Sequence, residues 1–154
     1  MRLAGLTFAK VFTSPLRRAM RTCELAGFGA VAEIDPDLVE WDYGEYEGRR
    51  TGEILAERPD WDLFRDGCPG GESPSQVAAR ADRVVKRLRA VPGDALLFSS
   101  GHLLRVLAMR WIGEPVASAR YFMLNTASLS VLSYEQNSSQ PVIRLWNDDD
   151  RNAA

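Results

Sequence analysis

Two rhythms of apolar and polar positions alternate along the chain. Short uninterrupted apolar runs, "KVFTS" (10–14) and "DALLFSS" (94–100), read as buried strands. Each feeds a stretch with helical spacing. After the first, Leu16, Ala19, Met20, Cys23 and Ala26 recur every three or four positions and predict a helix over 14–27. Ser14 is placed to cap it, Pro15 suits its first position and Gly27 its end. After the second, "HLLRVLAMRWIG" (102–113) predicts a helix ended by Gly113 and Pro115. Between them, "GGESPSQVAARADRVVKRLRAVPG" (70–93) carries the clearest helical pattern. Val77, Ala81, Val84, Leu88 and Val91 line one face, Ser73 and Gln76 match a capping box, and Pro74 fits the first position. Near the end, "SLSVLSYE" (128–135) and "PVIRLWN" (141–147) alternate as a closing hairpin does.

Residues 31–67 follow neither rhythm for long. They contain "DPDLVEWDYGEYEGR" and a short helical signal near "TGEILAERP". A long irregular stretch inside a domain is usually functional or disordered. Trp41, Tyr43, Tyr46, Trp61 and Phe64 argue for order, and so for an inserted site segment. Strands interleaved with helices predict an α/β fold, a three-layer α/β/α sandwich with a largely parallel sheet. Ligands in such sheets sit at the carboxyl ends of the strands.

Composition narrows the function more than the fold. The chain has 154 residues, which suits a single domain over 1–154. It is 45% apolar and 26% charged, with a net charge of -2, which gives no argument for nucleic acid or a membrane surface as partner. Cys23 and Cys68 are too few for a disulfide framework and lack metal-ligand spacing, so both are expected as reduced thiols. With no signal peptide and no apolar run near the length of a membrane span, the expected location is cytoplasmic. The tail "NDDDRNAA" is expected to fray.

Candidate chemistry gathers at the two strand-to-helix junctions. In "FTSPLRRA", Arg17 and Arg18 fall in the first turn of a helix, where cations oppose the helix dipole by roughly 0.3–1 kcal/mol each. An anion bound among the free N–H groups there offsets that cost; the alternative is a pair of solvated arginines. In "SSGHLLR", Gly101 permits close backbone approach, and Ser99, Ser100 and His102, the chain's one histidine, cluster at the helix start. A lone histidine there is either a cap or a catalyst, and no G-x-S-x-G elbow supports a serine nucleophile. Glu40, in "LVEWDYG", stands beside Trp41 and Tyr43, an apolar wall that would suit a general acid; the alternative is a solvated loop carboxylate. Glu72 and Arg80 are weaker candidates, with Arg80 expected on the solvated face of its helix.

Taken in order, "FTSPLRRAMRT", "LVEWDYGEYEG", "PGGESPSQVAAR", "LLFSSGHLLRVLA" and "NTASLSVL" resemble the histidine phosphatase superfamily, the phosphoglycerate-mutase-like proteins, across nearly the whole chain. The resemblance implies metal-independent and cofactor-independent hydrolysis of phosphomonoesters, or phosphoryl transfer, through a phosphohistidine. It implies that Arg18 and Gly101 bind phosphoryl oxygens, the arginine through a guanidinium fork that suits two of them at once. It casts Glu40 as proton donor and Glu72 as part of the pocket border. The implied partner is a small phosphorylated metabolite.

Two features depart from that pattern. The family's first strand ends in Arg-His-Gly, whose histidine is the nucleophile. Residues 1–12 hold no histidine, and "MRLAGLTFAKVFTSP" reads as the end of the helix that follows that strand. The chain is therefore expected to be N-terminally truncated relative to the family and to lack the Arg-His-Gly strand. Counting back from Arg105, the second catalytic histidine falls on Ser100, and His102 matches an auxiliary histidine. Serine donates a hydrogen bond but carries no positive charge, and losing a donor of that kind costs on the order of 10²–10³ in rate. The expectation is a phosphatase impaired as this chain stands; the alternatives are a non-catalytic phospho-ligand module and a mutase-type phosphoryl transferase. Unpaired strand edges invite strand exchange with a second copy, and so a homodimer.

Overall fold

A computed structural model of the chain describes residues 2–149. Three short strands make a parallel sheet in the order β2 (Glu33–Ile34), β1 (Lys10–Thr13), β3 (Ala95–Phe98). β1 is central, with Lys10–Thr13 in register against Ala95–Phe98 and Phe12–Thr13 against Glu33–Ile34. The period of two sends side chains to opposite faces. On one face Val11, Leu96 and Phe98 pack with Ala19 and Cys23 of α1 (Arg17–Leu25). On the other, Phe12 and Leu97 pack on the larger core, which holds Val77, Ala81 and Val84 of α4 (Pro74–Arg89) and Leu103, Val106 and Leu107 of α5 (Gly101–Ile112). The result is the expected three layers.

α4 follows the sequence signals closely. Ser73 Oγ accepts from Gln76 N and Gln76 Oε1 accepts from Ser73 N, with Pro74 at the first position. α5 ends at Gly113, whose φ of 84° is the left-handed region that glycine enters without strain. The short helical signal in the irregular segment is α2 (Thr51–Glu57), followed by α3 (Leu63–Asp66).

The structure corrects two expectations. α1 begins at Arg17 with Leu16 as its cap residue, not at Ser14–Pro15. Ser14 is fully buried at the end of β1, where its amide donates to Phe98 O; it is spent on the sheet before the helix starts, although its Oγ accepts from Leu16 N at 3.3 Å. Residues 2–5 form a turn rather than a helix end. The hairpin, β4 (Leu129–Tyr134) and β5 (Pro141–Asp148), pairs antiparallel as a separate two-stranded sheet. It is moored to α5 by Trp111, whose Nε1 donates to Ser133 O at 3.0 Å while its ring lies 5.0 Å from that of Tyr134. Among the described residues β3 pairs only with β1, and β4 only with β5. Of the tail expected to fray, Asn147 and Asp148 close β5; residues 150–154 lie outside the described residues.

Candidate active site

The parallel register of β1 and β3 brings their carboxyl ends side by side, and the helices that leave them share one mouth. Arg18, exposed on the first turn of α1, reaches across it and donates from Nη2 to Ser100 Oγ at 3.2 Å. Ser100 is buried at the cap position of α5 but makes no side-chain cap bond. Gly101 opens the helix, and a Cβ added there would meet nothing within 4 Å. A cation, a hydroxyl and a helix start with open space in front of it form an anion-receptive arrangement.

The cap that Ser100 does not provide comes from Glu40. Its Oε1 accepts from Leu103 N at 2.9 Å and from Trp41 N at 2.9 Å, and its Oε2 from His102 N at 3.2 Å. Those helix amides lack intrahelical acceptors, so a carboxylate there satisfies donors that would otherwise depend on water. The two aromatic residues expected beside this carboxyl group take different places. Trp41 is fully buried, turned against Phe64 with ring centroids 5.8 Å apart. Tyr43 faces His102.

The Tyr43 hydroxyl lies 2.5 Å from His102 Nδ1. Burial, then the nearby Glu40 carboxylate, raises the Tyr43 phenol above its ordinary range, so it remains protonated and donates. Burial also lowers His102, with Arg105 adding to the effect and Glu40 opposing it. With the Tyr43 hydroxyl donating, a neutral imidazole accepts at Nδ1 and carries its proton on Nε2. Its ring stands edge-on to Tyr43 and Phe64, at 5.7 and 5.5 Å.

Behind Glu40 lies the largest correction to the sequence reading. Arg80 is not on a solvated face; it is 7% exposed. Its guanidinium makes a two-pronged ion pair with Glu72, Nε to Oε1 at 3.0 Å and Nη2 to Oε2 at 2.6 Å. Position 80 falls three after Val77 and four before Val84, on the apolar stripe itself, and that spacing was the signal for its burial. The Glu72 side chain keeps 21% exposure, so the pair is half-buried, with Arg80 as its sealed member. Two glycines let the supporting loops meet. Gly44 has a φ of 51°, and a Cβ there would lie 2.2 Å from Gly71 N; a Cβ on Gly71 would lie 2.3 Å from Asp42 O. "WDYG" and "GGES" thus pack backbone on backbone, joined by Glu72 N to Asp42 O at 2.9 Å.

Comparison with known proteins assigns the chain to a family. The profile of the histidine phosphatase superfamily (branch 1) matches residues 1–149. The chain belongs to this superfamily. It is 40% identical over 132 residues to an acid phosphatase of Mycobacterium tuberculosis, covering 84% of this chain and 64% of that protein. It is 35% identical over 129 residues to a sedoheptulose 1,7-bisphosphatase of Saccharomyces cerevisiae, covering 67% of this chain and 47% of that protein. The chain thus spans less than two thirds of the length of either relative. A solved structure, of an open reading frame of Mycobacterium tuberculosis, superposes with a TM-score of 0.85 at 38% identity, over 90% of this chain and 72% of that one.

In this superfamily member the structure brings Arg18, Glu40, Ser100, Gly101 and the His102 amide to one mouth, turns the His102 ring to Tyr43 and Phe64, and sets Glu72 one layer behind, against Arg80. Sequence reasoning missed the pairing of Tyr43 with His102, which no local spacing encodes. An open cleft of about 1140 Å³ lies on the far side of His102, lined by Tyr43, Trp61, Phe64, Arg105 and Arg120 among others; Arg18, Glu40 and Ser100 do not line it. Among the described residues no cluster of three His, Cys, Asp or Glu is placed to hold a metal. Cys23 and Cys68 are buried free thiols, and burial pushes Cys68 up to about 11, so both stay protonated at neutral pH. Among the described residues no helix is long and apolar enough to cross a membrane.

Proposed function

We propose that the chain binds the phosphoryl group of a small phosphorylated metabolite at Arg18, Ser100 and the Gly101 end of α5, and that its family chemistry is phosphomonoester hydrolysis. The contact between Arg18 and Ser100 beside Glu40 carries this reading. The guanidinium supplies charge and two donors to phosphoryl oxygens. Glu40 is the candidate proton donor: in its protonated form it would pass its proton to the leaving oxygen as that oxygen's bond to phosphorus breaks and a water oxygen bonds to phosphorus in its place. To act so, its carboxyl group must turn from the α5 amides toward the substrate. The relatives named as phosphatases support hydrolysis over mutase-type transfer.

Residues 1–154, by themselves, bind better than they turn over. The chain has one histidine, and the neutral His102 ring is engaged by Tyr43 and flanked by Phe64. Ser100 contributes a hydrogen bond where the family pattern calls for an imidazole that can carry charge. These observations favour a phospho-ligand-binding chain over one in which His102 serves as nucleophile.

Titration with inorganic phosphate tests the binding reading. The 154-residue chain should bind phosphate, and Arg18→Ala should weaken that binding about tenfold or more, the scale of a lost charge-assisted bond. Equal affinity in the two would overturn it. Hydrolysis of p-nitrophenyl phosphate should be near the uncatalysed rate; robust turnover that vanishes in His102→Ala would instead establish His102 as the working residue.

A further inference from the structure

Glu40 sits in an extended stretch between the 3₁₀ turns Pro36–Leu38 and Gly44–Tyr46. Such a stretch has no hydrogen-bond ladder to fix the angle of a side chain. Its backbone is nonetheless held from two sides by two side chains of one ion pair. Arg80 Nη1 donates to Asp37 O at 2.8 Å and to Val39 O at 2.6 Å, and Nη2 to Glu40 O at 3.4 Å. With the two bonds to Glu72, all five guanidinium N–H groups are used, three on the loop and two on the carboxylate. Glu72 grips the other side of Glu40. Its Oε2 accepts from Asp42 N at 3.0 Å, its backbone oxygen accepts from Trp41 Nε1 at 2.9 Å, and its amide donates to Asp42 O.

We propose that Arg80 and Glu72 are a positioning pair, whose shared grip on residues 37–42 aims the Glu40 carboxylate at the first turn of α5. The proposal rests on the reading of Glu40 as the proton donor of this site. Neither member of the pair touches the mouth; both act through the backbone on either side of Glu40. The chemistry of each member is specific. Three carbonyls converge on the guanidinium, which only a planar five-donor fork can serve while still meeting a carboxylate twice. Glu72 supplies the countercharge that lets the fork lie buried. A lysine at position 80 has three donors from one atom and cannot span both sets.

A purely structural ion pair would weaken the whole fold; a positioning pair has a local signature. The amides of His102 and Leu103 lie in the first turn of a helix and have no intrahelical acceptor, so their protection from hydrogen exchange reports the hold of Glu40. Amide exchange measured by NMR on the 154-residue chain tests this. Both amides should be protected in the parent and exposed by Glu40→Ala. Arg80→Lys and Glu72→Gln should each speed exchange at His102 and Leu103 about tenfold, the scale of a lost helix cap, while Leu107 and Ala108, deep in α5, keep their rates. Arg83→Lys, which alters the neighbouring pair to Asp37 on the same helix, should leave His102 and Leu103 unchanged. Parent-like rates at both amides in Arg80→Lys and Glu72→Gln would overturn the proposal, as would an increase shared equally by Leu107 and Ala108. If Arg80→Lys does not fold, Glu72→Gln decides alone. Phosphate affinity at Arg18 is read separately, so failure of the binding reading leaves the exchange result intact and distinguishable.

Discussion

The two strand-to-helix junctions of this chain look alike in sequence and differ in what they have already bound. At the β3–α5 junction the exposed amides of the helix are taken by Glu40, a carboxylate from a loop some sixty residues earlier in the chain. At the β1–α1 junction the cap residue is Leu16, no side chain caps the helix, and the first turn carries Arg17 and Arg18. One helix start is filled from within; the other presents cations. The lesson is that an anion-receptive geometry is not yet a binding site. At α5 the fold has largely satisfied its own demand, and the receptive part is the rim where Arg18 meets Ser100.

That contrast can be broken first at the anchor of the filled side. Trp41 is fully buried and holds the Glu40 loop through its ring and its Nε1. Trp41→Ala should cost about 4 kcal/mol in urea unfolding, the scale of a buried aromatic removed with its hydrogen bond. A loss below about 1 kcal/mol would mean that the loop is held mainly by polar contacts. The next test compares the junctions directly. Glu40→Ala should cost about 1–2 kcal/mol as a lost cap, whereas Arg18→Ala, an exposed side chain with one long contact, should stay within about 0.5 kcal/mol. Equal losses would erase the distinction between a filled and an open junction.

The smallest effect sharpens the comparison through pH. His102 titrates lower in the folded chain than its ordinary value because it is buried. Well above pH 6.5 it is uncharged in both states and contributes nothing to the pH dependence. As pH falls below about 6.5 the unfolded chain takes up the proton first, so the folded state loses stability, by at most about 1.4 kcal/mol per pH unit. Melting temperature should therefore fall between about pH 7 and pH 5.5, and His102→Gln should flatten that part of the profile. An unchanged slope in the variant would place the titrating group elsewhere.

What was legible in the sequence was what is encoded locally. The Ser73–Gln76 capping box, the Gly113 stop and the apolar stripe of α4 depend on residues within one or two turns. Ser14 was misread for the converse reason: a serine before a proline is a helix cap by local rules, but here the sheet had a prior claim on it. Arg80 is charged yet lies on the apolar stripe, and position rather than charge decides its burial. The two-residue strand β2 and the Tyr43–His102 pair have no local signal, since each is fixed only by a partner far along the chain. The site residues Arg18, Glu40, Ser100, Gly101 and His102 stand out at the two junctions and the aromatic loop, their roles come from family resemblance, and the structure adds their mutual geometry.

The meeting of Gly44 and Gly71 has a consequence for how this protein can vary. Neither position tolerates a methyl group, because the obstacle is the backbone of the opposite loop and no side chain can step aside. The two loops therefore constrain one another's spelling, though 27 positions apart. An inherited change at either would not be rescued by a compensating substitution nearby. A side chain at either position would force the two loops apart and carry the Glu40 stretch with them.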